Sequence, residues 1–490
     1  MSQAVEPKGQ IKADSTAEGS SSQFALPSHL LKSKLRPWVI IGTFILFALI
    51  IIAPTPDGLS RVGQNAIAIF VLCLIFWVSN AIPLMITSML AIILLPLLNV
   101  MEAKAAYALF GNQAVFFILG AFILASAVMQ SGLSLRIALR LLQYFQATRQ
   151  RLLFGLLVLP AGLSMVMSEH AVAAMMFPVV LEMCVVLKFE PGNRSALTMM
   201  LAMTWGCIIG GIGTFLGGAR AVLAVGILEE TTGISIGFLE WALAAIPIVI
   251  LMLGVAYLLL LFISRHEPKT FSGARELLQQ KLTNLGKRTR RETYVGLLMI
   301  ITILAWATVG HYFGLANIAL AAVVVAFIFK LLSWKQVEKD VNWGIILMYG
   351  GAIALGFTLD QSGAASWLTQ LILGDGVMTG IFLVFILAVI GTVLTEGISN
   401  SAVVALMMPI AIALAAQNGV DVRTATLALA IPSGLAFMLP ISTPATAIAV
   451  SSKYVTARNT MSTGIILNSV AIGLFVLAAL LYWPSIGFTV

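Results

Sequence analysis

Two stretches of this chain, 231 residues apart, carry the same interruption in otherwise apolar sequence. Ser168-Glu-His-Ala-Val-Ala-Ala-Met-Met-Phe-Pro178 superposes on Ser399-Asn-Ser-Ala-Val-Val-Ala-Leu-Met-Met-Pro409 with 6 of 11 positions identical. The same offset sets Gly120–Gly132 on Gly351–Gly363 with 6 of 13 identical. Two separate blocks at one offset make a tandem repeat, so the fold of the first half constrains the second. A further break follows each block. It is Gly210-Gly-Ile-Gly-Thr-Phe-Leu-Gly-Gly-Ala-Arg220 in one half and Leu439-Pro-Ile-Ser-Thr-Pro-Ala-Thr446 in the other. Gly213-Thr214 falls on Ser442-Thr443 at an offset of 229. Paired Gly/Pro-broken apolar segments at matching places in two halves point to a transporter's binding site. Broken helices free backbone N–H and C=O groups, which membrane depth tolerates only around a polar cavity.

Only 10% of the 490 residues are charged and 60% are hydrophobic, against about 25% charged in soluble chains. This is the composition of an all-α integral membrane protein whose first partner is the lipid bilayer. Cys73, Cys184 and Cys207 all lie in apolar segments, and no Cys/His metal spacing occurs. The thiols read as small core residues, not as a disulfide framework. The net charge of +8 does not imply nucleic acid, because the charges fall in short loops between spans, where they orient the chain.

Spans of about 20 residues divide the chain as follows. Residues 1–34 are a polar tail, read as disordered and cytosolic. Crossings are expected within 35–133, near 38–54, 64–81, 83–99 and 114–133. Residues 134–263 hold a basic amphipathic arm, a re-entrant hairpin at 152–187, a crossing at 194–228 broken at 210–219, and a crossing at 237–263. A hydrophilic cytosolic linker, 264–292, separates the halves. Residues 293–375 hold crossings near 293–312, 315–333 and 343–360. Residues 376–487 hold a hairpin at 377–416, a broken crossing at 424–452 and a last span at 464–483. The pattern predicts eleven transmembrane helices plus two re-entrant hairpins. With the N-terminus cytosolic, 24 of the 28 Lys and Arg lie on the cytosolic side, as the positive-inside bias requires. The hairpins then enter from opposite faces, an inverted-topology repeat, and the C-terminus ends outside the cell's inner (plasma) membrane.

The doubled hairpin tips, each followed by a helix break, resemble the divalent anion:sodium symporter family over roughly residues 35–487. Thr395-Glu-Gly-Ile-Ser399-Asn400-Ser401 is close to that family's Ser-Asn-Thr tip, with Ser for the final Thr. The first tip departs, because Ser168-Glu169-His170 stands in place of Ser-Asn-Thr. The breaks depart too, with Phe215-Leu216-Gly217 and Pro444-Ala445-Thr446 where the family has Thr-Pro-Pro-Asn. The resemblance implies an elevator, in which hairpins and broken helices form a transport domain that moves against a homodimeric scaffold built from 35–133 and 293–375. It implies a small dianionic substrate bound by Ser168, Glu169, His170, Gly213, Thr214, Arg220, Ser399, Asn400, Ser401, Ser442, Thr443 and Pro444. No cofactor is implied beyond Na⁺ as coupling ion, with Ser399, Asn400 and Ser442 as a second Na⁺ site.

Residue chemistry agrees with such a site. Helix N-termini at the tips favour carboxylate or sulfate, and hydroxyl, amide and carbonyl oxygens suit a small cation. Arg220 is the one Lys or Arg placed inside a span, and an ionisable group there marks function. Glu169, on the facing tip, is one expected partner, so that a fixed guanidinium stands in for the first Na⁺; the alternative is that Arg220 snorkels to the outer interface. His170 reads either as packing or as a proton carrier, and Glu396 either as a cap of the hairpin or as a coupling group. Glu182 and the runs Met175-Met176 and Met407-Met408 read as structural.

The chain is therefore expected to be a secondary transporter of C4-dicarboxylate-type anions, with Na⁺ coupling reduced or replaced by exchange or H⁺ coupling. A Na⁺-coupled sulfate or tricarboxylate symporter is the alternative, and an anion channel the alternative from another class. An enzyme is not expected, since no second histidine stands at metal-ligand spacing from Glu169-His170.

Overall fold

The computed structural model describes residues 35–145, 148–268, 270, 273–373 and 378–489; the tail read at 1–34 lies outside them. The described residues form helices and turns with no strand, as burial of backbone polar groups in lipid demands. The first four helices are α1 (Arg36–Ile52), α2 (Arg61–Ser79), α3 (Leu84–Leu97) and the short α4 (Ala103–Ala108). Then come α5 (Gln113–Ser131), α6 (Leu133–Phe145), α7 (Arg149–Ser164), α8 (Glu169–Val186), α9 (Arg194–Gly210), α10 (Ala219–Thr232) and α11 (Phe238–Ile263). Four helices lead into the second copy: α12 (Ala274–Asn284), α13 (Arg290–Phe313), α14 (Leu315–Ile328) and α15 (Trp334–Asp340). The copy itself is α16 (Trp343–Gln361), α17 (Ala364–Leu373), α18 (Gly380–Gly397), α19 (Asn400–Gln417), α20 (Val422–Ala430), α21 (Pro444–Ser451) and α22 (Ala457–Leu481). Among the described residues, nine helices are long and apolar enough to cross a membrane, and α1, α3 and α14 are shorter apolar helices.

The order α5–α11 recurs as α16–α22. In each copy a long helix and a short one precede two helices joined by a tight tip, a helix broken in the middle, and a final long helix. Residues 364–373, which the sequence groups with the preceding spans, form α17, the counterpart of the amphipathic α6. The linker read as a loop contains α12. The copies are packed crosswise: α5 lies against α14 and α16 against α3, while α8 lies against α21 and α19 against α10. Each hairpin's return helix thus rests on the second half of the other copy's broken helix.

Caps explain where the helices of the site begin. Ser399 accepts from the Ala402 N–H and starts α19; Thr443 accepts from Thr446 N–H and starts α21, with Pro444 at its first position. Such groups satisfy orphan donors of the first turn. Pro178 and Pro409, equivalent in the repeat, both lie inside return helices. On the cytosolic-read side, Arg136 of α6 holds Glu292 of α13 through two bonds of 2.7 and 2.9 Å and also donates to the Gly286 carbonyl at 2.8 Å. This bidentate geometry fixes α6 to the start of α13.

The tightest pairing is α7 with α9. A Cβ at Gly206 or Gly210 would overlap the backbone carbonyls of Leu157 and Ala161, so the small-xxx-small spacing lets two backbones touch. Gly210→Ala should therefore push α9 off α7 and cost about 1–3 kcal/mol. A thermal melt of the purified protein checks this: an unchanged melting temperature would mean that the contact relaxes freely.

Candidate functional site

Tip two is built by the end of α18, Ile398, Ser399 and the first turn of α19. Thr395 Oγ1 lies 2.8 Å from the Ser433 carbonyl and 2.6 Å from the Asn400 amide oxygen. One hydroxyl has one proton, and no other donor reaches the Ser433 carbonyl among the described residues. The proton therefore belongs to Ser433 O, and Asn400 turns its NH₂ toward Thr395. That leaves Asn400 Oδ1 as a free oxygen ligand. The backbone N–H groups of Asn400 and Ser401 have no acceptor among the described residues, as expected of a helix N-terminus open to an anion.

Glu396 caps not its own hairpin, as one reading of the sequence has it, but the break beside it. Its buried carboxylate accepts from the backbone N–H groups of Phe437, Met438 and Leu439 at 2.9–3.1 Å, and from Asn468 Nδ2 at 2.8 Å. It caps break two, the segment between α20 and α21, and ties tip two to it. Ser442 donates to the Leu439 carbonyl at 2.5 Å, and Thr443 and Thr446 share a 3.0 Å hydroxyl contact. Ser442 therefore shapes the break with its hydrogen and keeps oxygen lone pairs for other use, while Thr443 Oγ1 already accepts from the Thr446 N–H.

Tip one differs in charge. Ser168 precedes α8 without a side-chain cap. Glu169 is 1% exposed, and its N–H donates to the Gly217 carbonyl in break one, between α9 and α10. Thr214 Oγ1 donates to the Met165 carbonyl at 2.6 Å, closing tip one on break one, while Gly213 closes a turn onto Gly210. Arg220, 3% exposed, places Nη1 at 3.6 Å from Glu169 Oε2. His170 Nδ1 stands 3.7 Å from Glu169 Oε1, its imidazole half exposed. Both Glu169 oxygens and Arg220 Nη2 lack hydrogen-bond partners among the described residues. The pair attracts across van der Waals distance and leaves its bonding capacity open.

The guanidinium also crosses to the other copy. It lies flat against Gly434, in the turn Pro432–Gly434 of break two, where any Cβ would overlap it. Tip one, break one and break two therefore meet at Arg220. Gly434 carries no sequence signal that could have assigned it, because only the cross-packing brings it to Arg220. The same holds for Asn468, which bonds Glu396 from a span with no motif. Among the described residues no cluster of three His, Cys, Asp or Glu could hold a metal. Tip two presents neutral oxygens, whereas tip one carries the Glu169–Arg220 pair. A separate cavity of about 770 Å³ opens beside Phe215, between α10, α11 and α13. Phe117, Phe238, Trp306, Glu229 and Glu240 line it, and those carboxylates would repel a dianion, so it is not the anion site.

The family described as the sodium:sulfate symporter transmembrane region matches residues 34–489. The sodium-dependent dicarboxylate transporter SdcS of Staphylococcus saprophyticus is 29% identical over 476 residues, covering 91% of each chain. SdcS of Staphylococcus aureus strain USA300 is 28% identical over 475 residues with the same coverage. Two solved structures share the fold. The efflux pump MtrF of Neisseria gonorrhoeae has a TM-score of 0.58 at 13% identity, over 90% of this chain and 94% of that one. The YdaH transporter of Alcanivorax borkumensis has 0.54 at 15%, over 79% and 91%.

The Glu396 cap makes its own prediction. Glu396→Gln keeps the shape but replaces an acceptor oxygen with a donor NH₂ facing backbone N–H groups. Each charged hydrogen bond lost is worth about 1.5–3 kcal/mol, so the melting temperature should fall markedly. Retention of wild-type stability would show that break two does not depend on this carboxylate.

Proposed function

This chain belongs to the sodium:sulfate symporter family, and on that premise we propose that it is a secondary active transporter of small divalent organic anions of the C4-dicarboxylate type. The relatives named as dicarboxylate transporters support the substrate class. The observation that carries the reading is the Arg220 guanidinium, buried where tip one and both breaks meet, with Nη2 unpartnered. A dianion placed there would meet that charge and the open N-terminus of α19. Ser168, His170, Ser399, Asn400 and Ser401 would complete the contacts from the tips, and Gly213, Thr214, Ser442, Thr443 and Pro444 from the breaks.

The proposed topology has eleven crossings: α1, α2, α3, α5, α9–α10, α11, α13, α14, α16, α20–α21 and α22. The hairpins α7–α8 and α18–α19 enter from the cytosol and from outside, with the N-terminus in the cytosol. The distribution of Lys and Arg in the sequence supports this orientation. In the elevator reading the bonds from Glu396, Thr395 and Thr214 make each hairpin and its break one moving body. The homodimeric scaffold, 35–133 and 293–375, stays fixed. A monomer that still transports after reconstitution at high dilution would overturn the dimer.

Coupling follows from the charges. An isolated Arg at mid-bilayer costs about 2.5–3.5 kcal/mol, and Glu169 offsets that cost. The guanidinium, permanently charged, replaces the first Na⁺, while Ser399, Asn400 and Ser442 keep oxygen donors for a second. Transport should therefore need fewer Na⁺ per cycle than a two-site symporter, with exchange or H⁺ movement through Glu169 and His170 supplying the remainder. The second reading, Na⁺-coupled sulfate or tricarboxylate symport, is favoured by the family description and by the intact tip two.

Uptake into liposomes with Na⁺ and pH gradients imposed separately, across succinate, malate, citrate and sulfate, tests this. Arg220→Ala should abolish dicarboxylate uptake, and Arg220→Ala with Glu169→Asn should regain part of it in Na⁺. Steep Na⁺ drive in the wild type, with Arg220→Ala harmless, would sink the substitution. Counterflow of labelled substrate is expected of a carrier; conduction without it would favour a channel. Asn400→Ala should weaken uptake by roughly 0.5–1.5 kcal/mol of binding. Unchanged affinity and rate in that variant would move the site elsewhere.

A further inference from the structure

Tyr349 stands on α16, outside the hairpins and broken helices. One face of α16, at Gly350 and Gly351, is pressed on Phe110 and Ser88. The other face carries Tyr349, Ile353 and Gly356, spaced i, i+4 and i+7 and therefore one stripe. Along that stripe Gly356 meets Ile227 of α10 and Pro409 of α19, and Ile353 meets Gly226. Seven residues back from Gly356 is Tyr349; seven back from Ile227 is Arg220, and eight back from Pro409 is Ser401. With about 1.5 Å of rise per residue, the three residues stand at one level. The Tyr349 side chain is 0% exposed, yet its hydroxyl has no hydrogen-bond partner by distance and angle among the described residues.

A buried hydroxyl without a partner is rare and calls for a reason. Packing does not supply one, since Phe would fill the same volume without the unpaired polar atom. A phenol is a neutral donor that ordinarily keeps its proton, so it can bond a carboxylate without repelling it. It also adds no second positive charge beside Arg220. Resting on the anion-transport reading above, we infer that Tyr349 is a substrate-binding residue supplied by α16, donating its O–H to a carboxylate of the dianion held between Arg220 and the N-terminus of α19. Position 118, its counterpart by the repeat offset, is Ile, so only one side of the site has this donor. Because α16 belongs to the spans that the elevator reading keeps fixed, the bond exists only while the hairpins stand at this height. Tyr349 then reads the substrate in one end state and not in the other.

The test is Tyr349→Phe in the full-length protein, with thermal melts taken in succinate titrations and KM measured from each face of proteoliposomes. The phenylalanine variant should melt, without ligand, at or above the wild-type temperature, because it loses an unpaired buried hydroxyl. Its apparent Kd for succinate should rise about tenfold or more, the size of a charge-assisted hydrogen bond. KM should rise on one face only. Wild-type affinity in a stable variant would overturn the inference, as would a variant that fails to fold or melts well below wild type, since the phenol would then be structural. A wild type that shows no melting shift with succinate, malate, citrate or sulfate would overturn the transport reading itself and this inference with it.

Discussion

Every helix interrupted inside a membrane releases N–H and C=O groups that lipid cannot satisfy, and the centre of this protein is organised by how those groups are paired. Glu396 takes three consecutive amides of break two on one carboxylate. Thr395 meets the Ser433 carbonyl, and Thr460 of α22 meets that of Met438. In the first copy Thr214 meets the Met165 carbonyl, Trp241 of α11 donates to Ile212, and Glu169 N–H donates to Gly217. Each bond runs between a break and either its own hairpin or the long helix that follows it. The pairing that makes irregular backbone tolerable thus also ties each hairpin to its break.

The two copies solve this problem with different chemistry. In the second, a carboxylate is fully employed by the backbone, and the tip presents neutral oxygens. In the first, the position equivalent to Glu396 is Met165, and the carboxylate sits instead at the tip as Glu169, with neither oxygen bonded. Its partner Arg220 is held at 3.6 Å and lies against the backbone of the other copy at Gly434. A buried ion pair this loose contributes little to stability, since desolvation offsets most of its attraction. Its value lies in open bonding capacity at the meeting of three irregular segments. The two repeats thus differ in charge at equivalent tips, with Glu169 in one and Asn400 in the other.

Much of this was legible in the residues. The 231-residue offset, the paired breaks and the apolar spans identify a duplicated helical membrane protein, because a repeat in sequence must repeat the local structure it encodes. The pairing of Glu169 with Arg220 was legible too, since two opposite charges in apolar surroundings have few other solutions. Glu396 was ambiguous because a carboxylate near a tip suits capping and coupling equally. Only the path of residues 431–443, folding back over it, decides for capping. The short α17 was missed because its ten residues are too few to cross a membrane and lie between longer apolar runs.

The sequence by itself determined the repeat, the helices, their interruptions and which residues at the tips can carry charge or coordinate oxygen. These follow from periodicity, from Gly and Pro, and from the cost of burying charge, all of which act within a few residues of chain. The tertiary structure alone decided what faces what. It laid α8 on α21 and α19 on α10, brought Gly434 under Arg220, and raised Tyr349 of α16 to the level of Ser401. Those meetings join residues from about 50 to more than 250 positions apart. They depend on helix crossing and register, which no local pattern encodes.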